Sequence, residues 1–334
     1  IGDCLSEAFY GGQTDLVVNT PSMSGGAARR KGIWQEFLAG PQVNHLSYFR
    51  RDESALPLFA ALEGDDRPFA SLPGPSQIFI SRGGRKTDPR PDAPIAFLLP
   101  GIMGSHIQIG SNRIWFDPIS LIAGDMARIG IGAAGITPDG WMDITYASLA
   151  RRLSKTHEVR PFAYDWRLSI QEAAAGFGRE LDKAMQDAES RGKPLRIVAH
   201  SMGGLVARLA MKGRWDSFKT LSGSRLLQLG TPNQGSHSMA AVLLGRDDFV
   251  QIIERWFDWK HDMREFLGIV RDFPGVLELL PWPETDGQAA DGVDYFDPLT
   301  WQDWFSRDPE AGKGKGWQPP QAGPLKAARD AIKP

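Results

Sequence analysis

Four strand-like stretches alternate with stretches of helical periodicity along the middle of the chain. The first, "PIAFLLPG" (94–101), is nearly continuous in apolar residues and follows a proline-rich stretch. A run of that kind predicts a strand buried on both faces. "HEVRPFAYDW" (157–166) predicts a second strand, preceded by a helix around "YASLARRLSK". The next segment, "SIQEAAAGFGRELDKAMQDAESRG", carries Phe177, Leu181, Ala184, Met185 and Ala188 at helical spacing, the pattern of an amphipathic helix. Ser169 and Glu172 have the spacing of a capping box at its start. "LRIVAH" is a third strand with "MGGLVARLAMKG" as its helix, and "SRLLQLGTP" (224–232) a fourth. Strands alternating with helices imply an α/β fold, a mostly parallel sheet with helices on both faces.

Two stretches fit less simply. Residues 60–94 are rich in Pro, Gly and Asp and read as a linker holding one short strand, "QIFIS". Residues 239–304 are mostly helical and aromatic, interrupted by Pro274, Pro281 and Pro283. The tail "EAGKGKGWQPPQAGP" reads as loop.

Composition narrows the function classes. The chain has 334 residues, 42% hydrophobic and 23% charged, as in a soluble globular protein. A net charge of −2 gives no footprint for nucleic acid or for electrostatic membrane attachment. One cysteine, Cys4, allows no internal disulfide and leaves the compartment undecided. No apolar run is long enough to span a bilayer, and "IGDCLSEAFYGG" has neither the basic nor the apolar region of a signal peptide. No Cys/His cluster has ligand spacing, so neither a metal nor an organic cofactor is implied. The missing initial Met suggests a fragment or a processed chain.

The chemistry concentrates at "RIVAHSMGG" (196–204), where a strand runs into a helix with a serine on the bend. Ala199, Ser201 and Gly203 give A-x-S-x-G, with Ala where Gly is commoner. The helix after the bend aims its N–H groups toward the serine and favours negative charge there. The alternative is a polar residue at an ordinary turn. "LLPGIMGS" (98–105) ends another strand in a glycine-bearing loop that can present the Ile102 N–H to a tetrahedral oxyanion, with the Met202 N–H as second donor. In "YDWR", Asp165 and Arg167 are expected to brace each other or a loop, and "LGTPNQGS" to shape the rim of the site. All four motifs follow strand carboxyl ends, where ligands bind in open α/β sheets.

In that order "FLLPGIMGS", "RIWFDP", "FAYDWR", "AHSMGG" and "LGTPNQGS" resemble the lecithin:cholesterol acyltransferase-like group of α/β-hydrolase lipases. "FPGVLELLP" and "YFDPLTW" resemble lid-region segments of that group. The resemblance covers roughly 95–305. It implies an acyl-ester hydrolase or acyltransferase with Ser201 as nucleophile and an oxyanion hole from Ile102 and Met202. It also implies a helical lid, at about 239–304.

A serine nucleophile needs a base, usually His oriented by a carboxylate, and in this superfamily both follow the serine. Only His237 and His261 do so here. His237 comes too early for the family's base and reads as a loop or rim residue. His261 lies in an amphipathic helix. By contrast, "GGQTDLVVNTPSM" and "QVNHLSYFRR", near the start of the chain, resemble the far end of an α/β hydrolase, with Asp15 as acid and His45 as base. Two arrangements follow. In a tandem protein, residues 1–62 end one hydrolase domain, 63–94 link, and 95–334 begin another. In a permuted domain, Asp15, His45 and Ser201 form one triad.

Trp256, Phe257, Trp259 and Phe266 occupy helical spacings suited to an acyl channel or a lipid interface, or equally to a core-facing cap. The expected substrate is a lipid or hydrophobic ester, met through transient membrane-surface contact. The competing readings are a catalytically inactive interaction domain and a thioesterase or amidase on the same elbow.

Overall fold

A computed structural model describes residues 92–110, 112–114, 129–244, 263–282, 292–307 and 318–332. Its centre is a parallel sheet of β1 (Ile95–Leu99), β5 (Glu158–Pro161), β6 (Leu195–His200) and β7 (Arg225–Leu229), in the order β5-β1-β6-β7. The apolar run of β1 is buried at every position, because β1 has a strand on each side and helices above and below. Phe97 and Leu99 face one layer, with Phe177 and Leu181 of α2 (Ile170–Arg191) and Val206 of α3 (Met202–Met211). Leu98 and Val198 face the other, with Tyr146, Leu149 and Leu153 of α1 (Asp143–Leu153). Alternation along the strands thus feeds two cores, and the expected α/β architecture with helices on both faces is the one observed.

α2 shows its sequence logic plainly. Its apolar stripe is buried, and it stops at Gly192, whose φ of 62° suits glycine. Ser169 is its N-cap and accepts from the Gln171 N–H at 3.2 Å. Glu172 does not close the expected capping box. The carboxylate at this end comes instead from Glu278, which accepts from the Ile170 N–H at 2.7 Å.

A second sheet was not legible in the sequence. β2 (Ser105–Ile109), β3 (Asn112–Arg113) and β4 (Ile136–Trp141) pair antiparallel in the order β3-β2-β4. "ITPDGW" holds Pro, Asp and Gly, all poor in strands. Pairing with β2 overrides that preference, with a register irregularity between Ser105 and Ile107.

α4 (Trp215–Thr220) lies between α3 and β7, and α5 (His237–Leu243), α6 (Met263–Val270), α7 (Pro274–Leu277) and α8 (Pro298–Arg307) follow the sheet. Much of the described part of the 239–304 segment packs into the core: Leu267, Val270, Phe273, Leu277, Leu280 and Trp301 are all buried. Trp256, Phe257 and Trp259 lie outside the described residues. The tail is not loop throughout, since Ala322–Ile332 forms α9. Arg329 of α9 pairs with Asp294 at 3.0 Å and sits 5.7 Å over the Trp282 ring. Gln171 Nε2 of α2 donates to the Ala331 carbonyl at 2.9 Å, so α9 ties the cap to the core. Among the described residues no helix is long and apolar enough to cross a membrane.

Candidate active site

β6 ends at His200 and α3 begins at Met202, leaving one residue for the whole turn. That residue, Ser201, has φ 53° and ψ −126°, and it is 3% exposed. A non-glycine residue at positive φ is uncommon and costs of order 1–3 kcal/mol. The surroundings hold it there. Its N–H donates to the Leu229 carbonyl of β7 at 2.8 Å, and its carbonyl accepts from Gly204 N at 2.9 Å.

The glycines after it are forced by contact. A Cβ on Gly203 would stand 2.5 Å from the Pro100 carbonyl oxygen, and one on Gly204 would stand 1.9 Å from Thr231 Oγ1. "MGG" is therefore the sequence that lets α3 start against both β1 and the loop after β7. Gln228 Nε2 donates to the Gly204 carbonyl at 2.9 Å, and Arg208 donates to Asn233. As first residue of α3, Met202 has an N–H with no acceptor inside the helix. No acidic side chain occupies the first turn, so the positive end of the helix stays available.

The loop after β1 lies against the serine. A Cβ on Gly101 would come 2.8 Å from Ser201 Cβ and 3.4 Å from Ser201 Oγ. Gly104 N donates to the Gly101 carbonyl at 3.0 Å, closing a turn with Ile102 and Met103 at its centre. Met103 takes φ 59°, the positive φ that the second central position of a type II turn requires. Ile102 is half-buried against the core. The Gly101 N–H donates to Tyr146 Oη at 2.8 Å, and that hydroxyl is 2.9 Å from His200 Nδ1. Tyr164 Oη donates to the Pro100 carbonyl at 2.8 Å, and the Tyr164 N–H donates to Ser105 Oγ at 3.2 Å. Burial pushes both phenols above the usual tyrosine range, the Gly101 N–H opposing this for Tyr146 and the Tyr146 phenol adding to it for Tyr164.

The rim is built from the remaining motifs. Arg167 Nε donates to Asp165 Oδ1 at 2.9 Å and Arg167 Nη1 to the Ile129 carbonyl at 2.6 Å, so the pair braces a loop. The Arg167 carbonyl accepts from Gly275 N of α7 at 3.1 Å. A Cβ on Gly275 would meet the Trp166 carbonyl oxygen at 2.0 Å and Met202 Cε at 3.0 Å. The cap therefore touches the residue after the serine. Ser236 N donates to the Leu279 carbonyl at 2.8 Å, which joins "LGTPNQGS" to the same cap. Glu278, 3% exposed, has its carboxyl raised to about 7 by burial, against the opposing bonds from Ile170 N–H and Ser169.

Of the residues singled out from sequence, Ser201 and Met202 share the bend, and the loop that carries Ile102 lies against it through Gly101. Asp15 and His45 lie outside the described residues, as does His261. His237 starts α5 and packs edge-on to Tyr295 at 5.6 Å. Among the described residues, no group of three or more His, Cys, Asp or Glu could hold a metal ion.

The comparisons with known proteins bear on this bend. The chain matches the lecithin:cholesterol acyltransferase family over residues 145–290. The matched stretch contains Ser201, Met202, the rim loop and the cap segment around Glu278. The chain is also 30% identical over 119 residues to Uncharacterized protein YJR098C of Saccharomyces cerevisiae. That alignment takes in 34% of this chain and covers 17% of the yeast protein's length. Tyr146 and Tyr164 were missed as site residues from sequence. Tyr146 merely opens the "YASLARRLSK" stretch there, and only the tertiary fold reveals where its hydroxyl ends.

Proposed function

We propose that this chain is a serine acyl-ester hydrolase or acyltransferase acting on a lipid or hydrophobic ester, with Ser201 as nucleophile. The family match supports lipase- or acyltransferase-type function in general terms. The observation that carries the finer reading is the strained Ser201, held at φ 53° with the glycine loop against its side chain.

Ser201 Oγ attacks the ester carbonyl carbon, and the carbonyl π electrons move to oxygen. The Ile102 and Met202 N–H groups hold that oxyanion. An imidazole takes the hydroxyl proton and delivers it to the departing alkoxide. Water or an acceptor alcohol then takes the acyl group by the reverse sequence. His45, oriented by Asp15, is that imidazole if the domain is permuted; in a tandem protein those two serve another nucleophile. Inward-packed aromatic and aliphatic cap residues suit an apolar acyl chain, and any membrane contact would be transient.

A fluorophosphonate probe tests the nucleophile. Labelling of the full-length protein that disappears in Ser201→Ala is expected, with loss of p-nitrophenyl ester hydrolysis by about 10³-fold or more. Absence of labelling in the parent protein favours an inactive interaction domain.

A further inference from the structure

We infer that Tyr146 and Tyr164 are positioning residues, a pair of buried phenols that grip one peptide group and thereby aim the Ile102 N–H at the reacting oxygen. The inference rests on the serine-nucleophile reading and extends it. Tyr164 donates to the Pro100 carbonyl, and Tyr146 accepts from the Gly101 N–H. Those two atoms belong to the same peptide bond. A planar peptide held at its C=O and at its N–H cannot rotate about the chain, although Gly101 itself has no Cβ to restrain it.

The next peptide inherits the restraint. The Gly101 carbonyl is fixed by the Gly104 N–H at 3.0 Å. In a trans peptide the N–H lies opposite the carbonyl, so fixing the Gly101 C=O fixes the direction of the Ile102 N–H. The Tyr146 hydroxyl also reaches the other wall of the site through His200 Nδ1, one residue before the nucleophile. It therefore locks the donor loop to the bend that carries Ser201. A Cβ on Gly104 would come 2.8 Å from the same hydroxyl, so the loop is also shaped to fit it. Burial keeps both phenols protonated throughout the working pH range. A donor oriented in advance is worth most where charge develops in the transition state, and small misplacements are costly.

The test uses full-length parent protein with Tyr146→Phe and Tyr164→Phe. Each substitution removes one hydroxyl and keeps the ring. In Tyr146→Phe, kcat on a p-nitrophenyl ester is expected to fall roughly 10- to 100-fold with KM changed less than about twofold. The rate of Ser201 phosphonylation should fall in parallel. Tyr164→Phe should move both in the same direction. Amide exchange at 101–104 should quicken in each variant while thermal unfolding still reports a folded protein. In the parent itself the Gly101 amide should exchange slowly, a readout that needs no variant to fold. A parent that never labels overturns the hydrolase reading and this inference with it. A parent that labels, with a folded Tyr146→Phe whose kcat and phosphonylation rate stay within about twofold, overturns the inference alone. Rapid exchange of the Gly101 amide in the parent also overturns it.

Discussion

Two helices begin at the carboxyl edge of the parallel sheet, and their first turns are treated in opposite ways. At α2 the N-terminus is closed: Ser169 accepts from Gln171, and the Glu278 carboxylate arrives from the cap to accept from Ile170. At α3 the N-cap is Ser201, which makes no side-chain cap bond and sits at positive φ. Both ends offer N–H groups and a positive dipole end. In one, the protein supplies the acceptor itself, the Glu278 carboxyl. In the other, no acidic residue of the first turn takes that place, and the loop after β1 lies against Ser201. The difference separates a helix end that fastens the cap from the one to which we assign the proposed chemistry.

The largest disruption is expected on the α3 side. Gly204→Ala would set a Cβ 1.9 Å from Thr231 Oγ1, with other Thr231 atoms within 2.8 Å. α3 would have to move away from the loop after β7, at a cost of about 3 kcal/mol. Denaturant unfolding should show that loss, and probe labelling at Ser201 should drop with it because the bend shifts.

Glu278→Gln sharpens the α2 side through pH. The folded carboxyl titrates at about 7, against a reference value of 4.5. A carboxyl whose folded pKa is raised binds more protons in the folded than in the unfolded chain. Its stabilisation is full below pH 4.5 and is lost as pH rises through 7, on the order of 3 kcal/mol in all. Gln keeps an acceptor for the Ile170 N–H and removes the titration. Stability of the parent relative to Glu278→Gln should therefore decline from pH 4.5 to 7 and level off above. The comparison with the variant is needed because His157 works the other way. Its folded pKa is lowered to about 4, by burial first and then by Arg196. Its contribution is present above pH 6.5 and is lost as pH falls through 4.

The smallest effect is expected for Ser169→Ala, about 1 kcal/mol from losing an N-cap bond. Activity should change little, since the Glu278 carboxylate still covers that end. An equal loss of activity and stability would erase the contrast between the two helix ends.

The parallel sheet was legible because β1 is written as an unbroken apolar run, β6 and β7 as mostly apolar ones, and its helices as periodic stripes. "AHSMGG" announced the bend because few sequences tolerate a one-residue turn between a buried strand and a close-packed helix. What stayed hidden depends on distant partners. "ITPDGW" becomes a strand only because β2 pairs with it, and the tail became a helix that carries Arg329 to Asp294 and Trp282. The capping box named Glu172, three residues from Ser169, whereas the acid that reaches this helix end comes from residue 278. Tyr146 lies 45 residues from the glycine it holds and 54 from His200. No local window contains such a contact.

The most direct measurement is an experimental structure of the full-length protein with a phosphonate bound at Ser201. The phosphonyl oxygen should lie about 2.7–3.1 Å from both the Ile102 and Met202 nitrogens. A phosphonyl oxygen turned to solvent, with those two amides bonded elsewhere, would contradict the account.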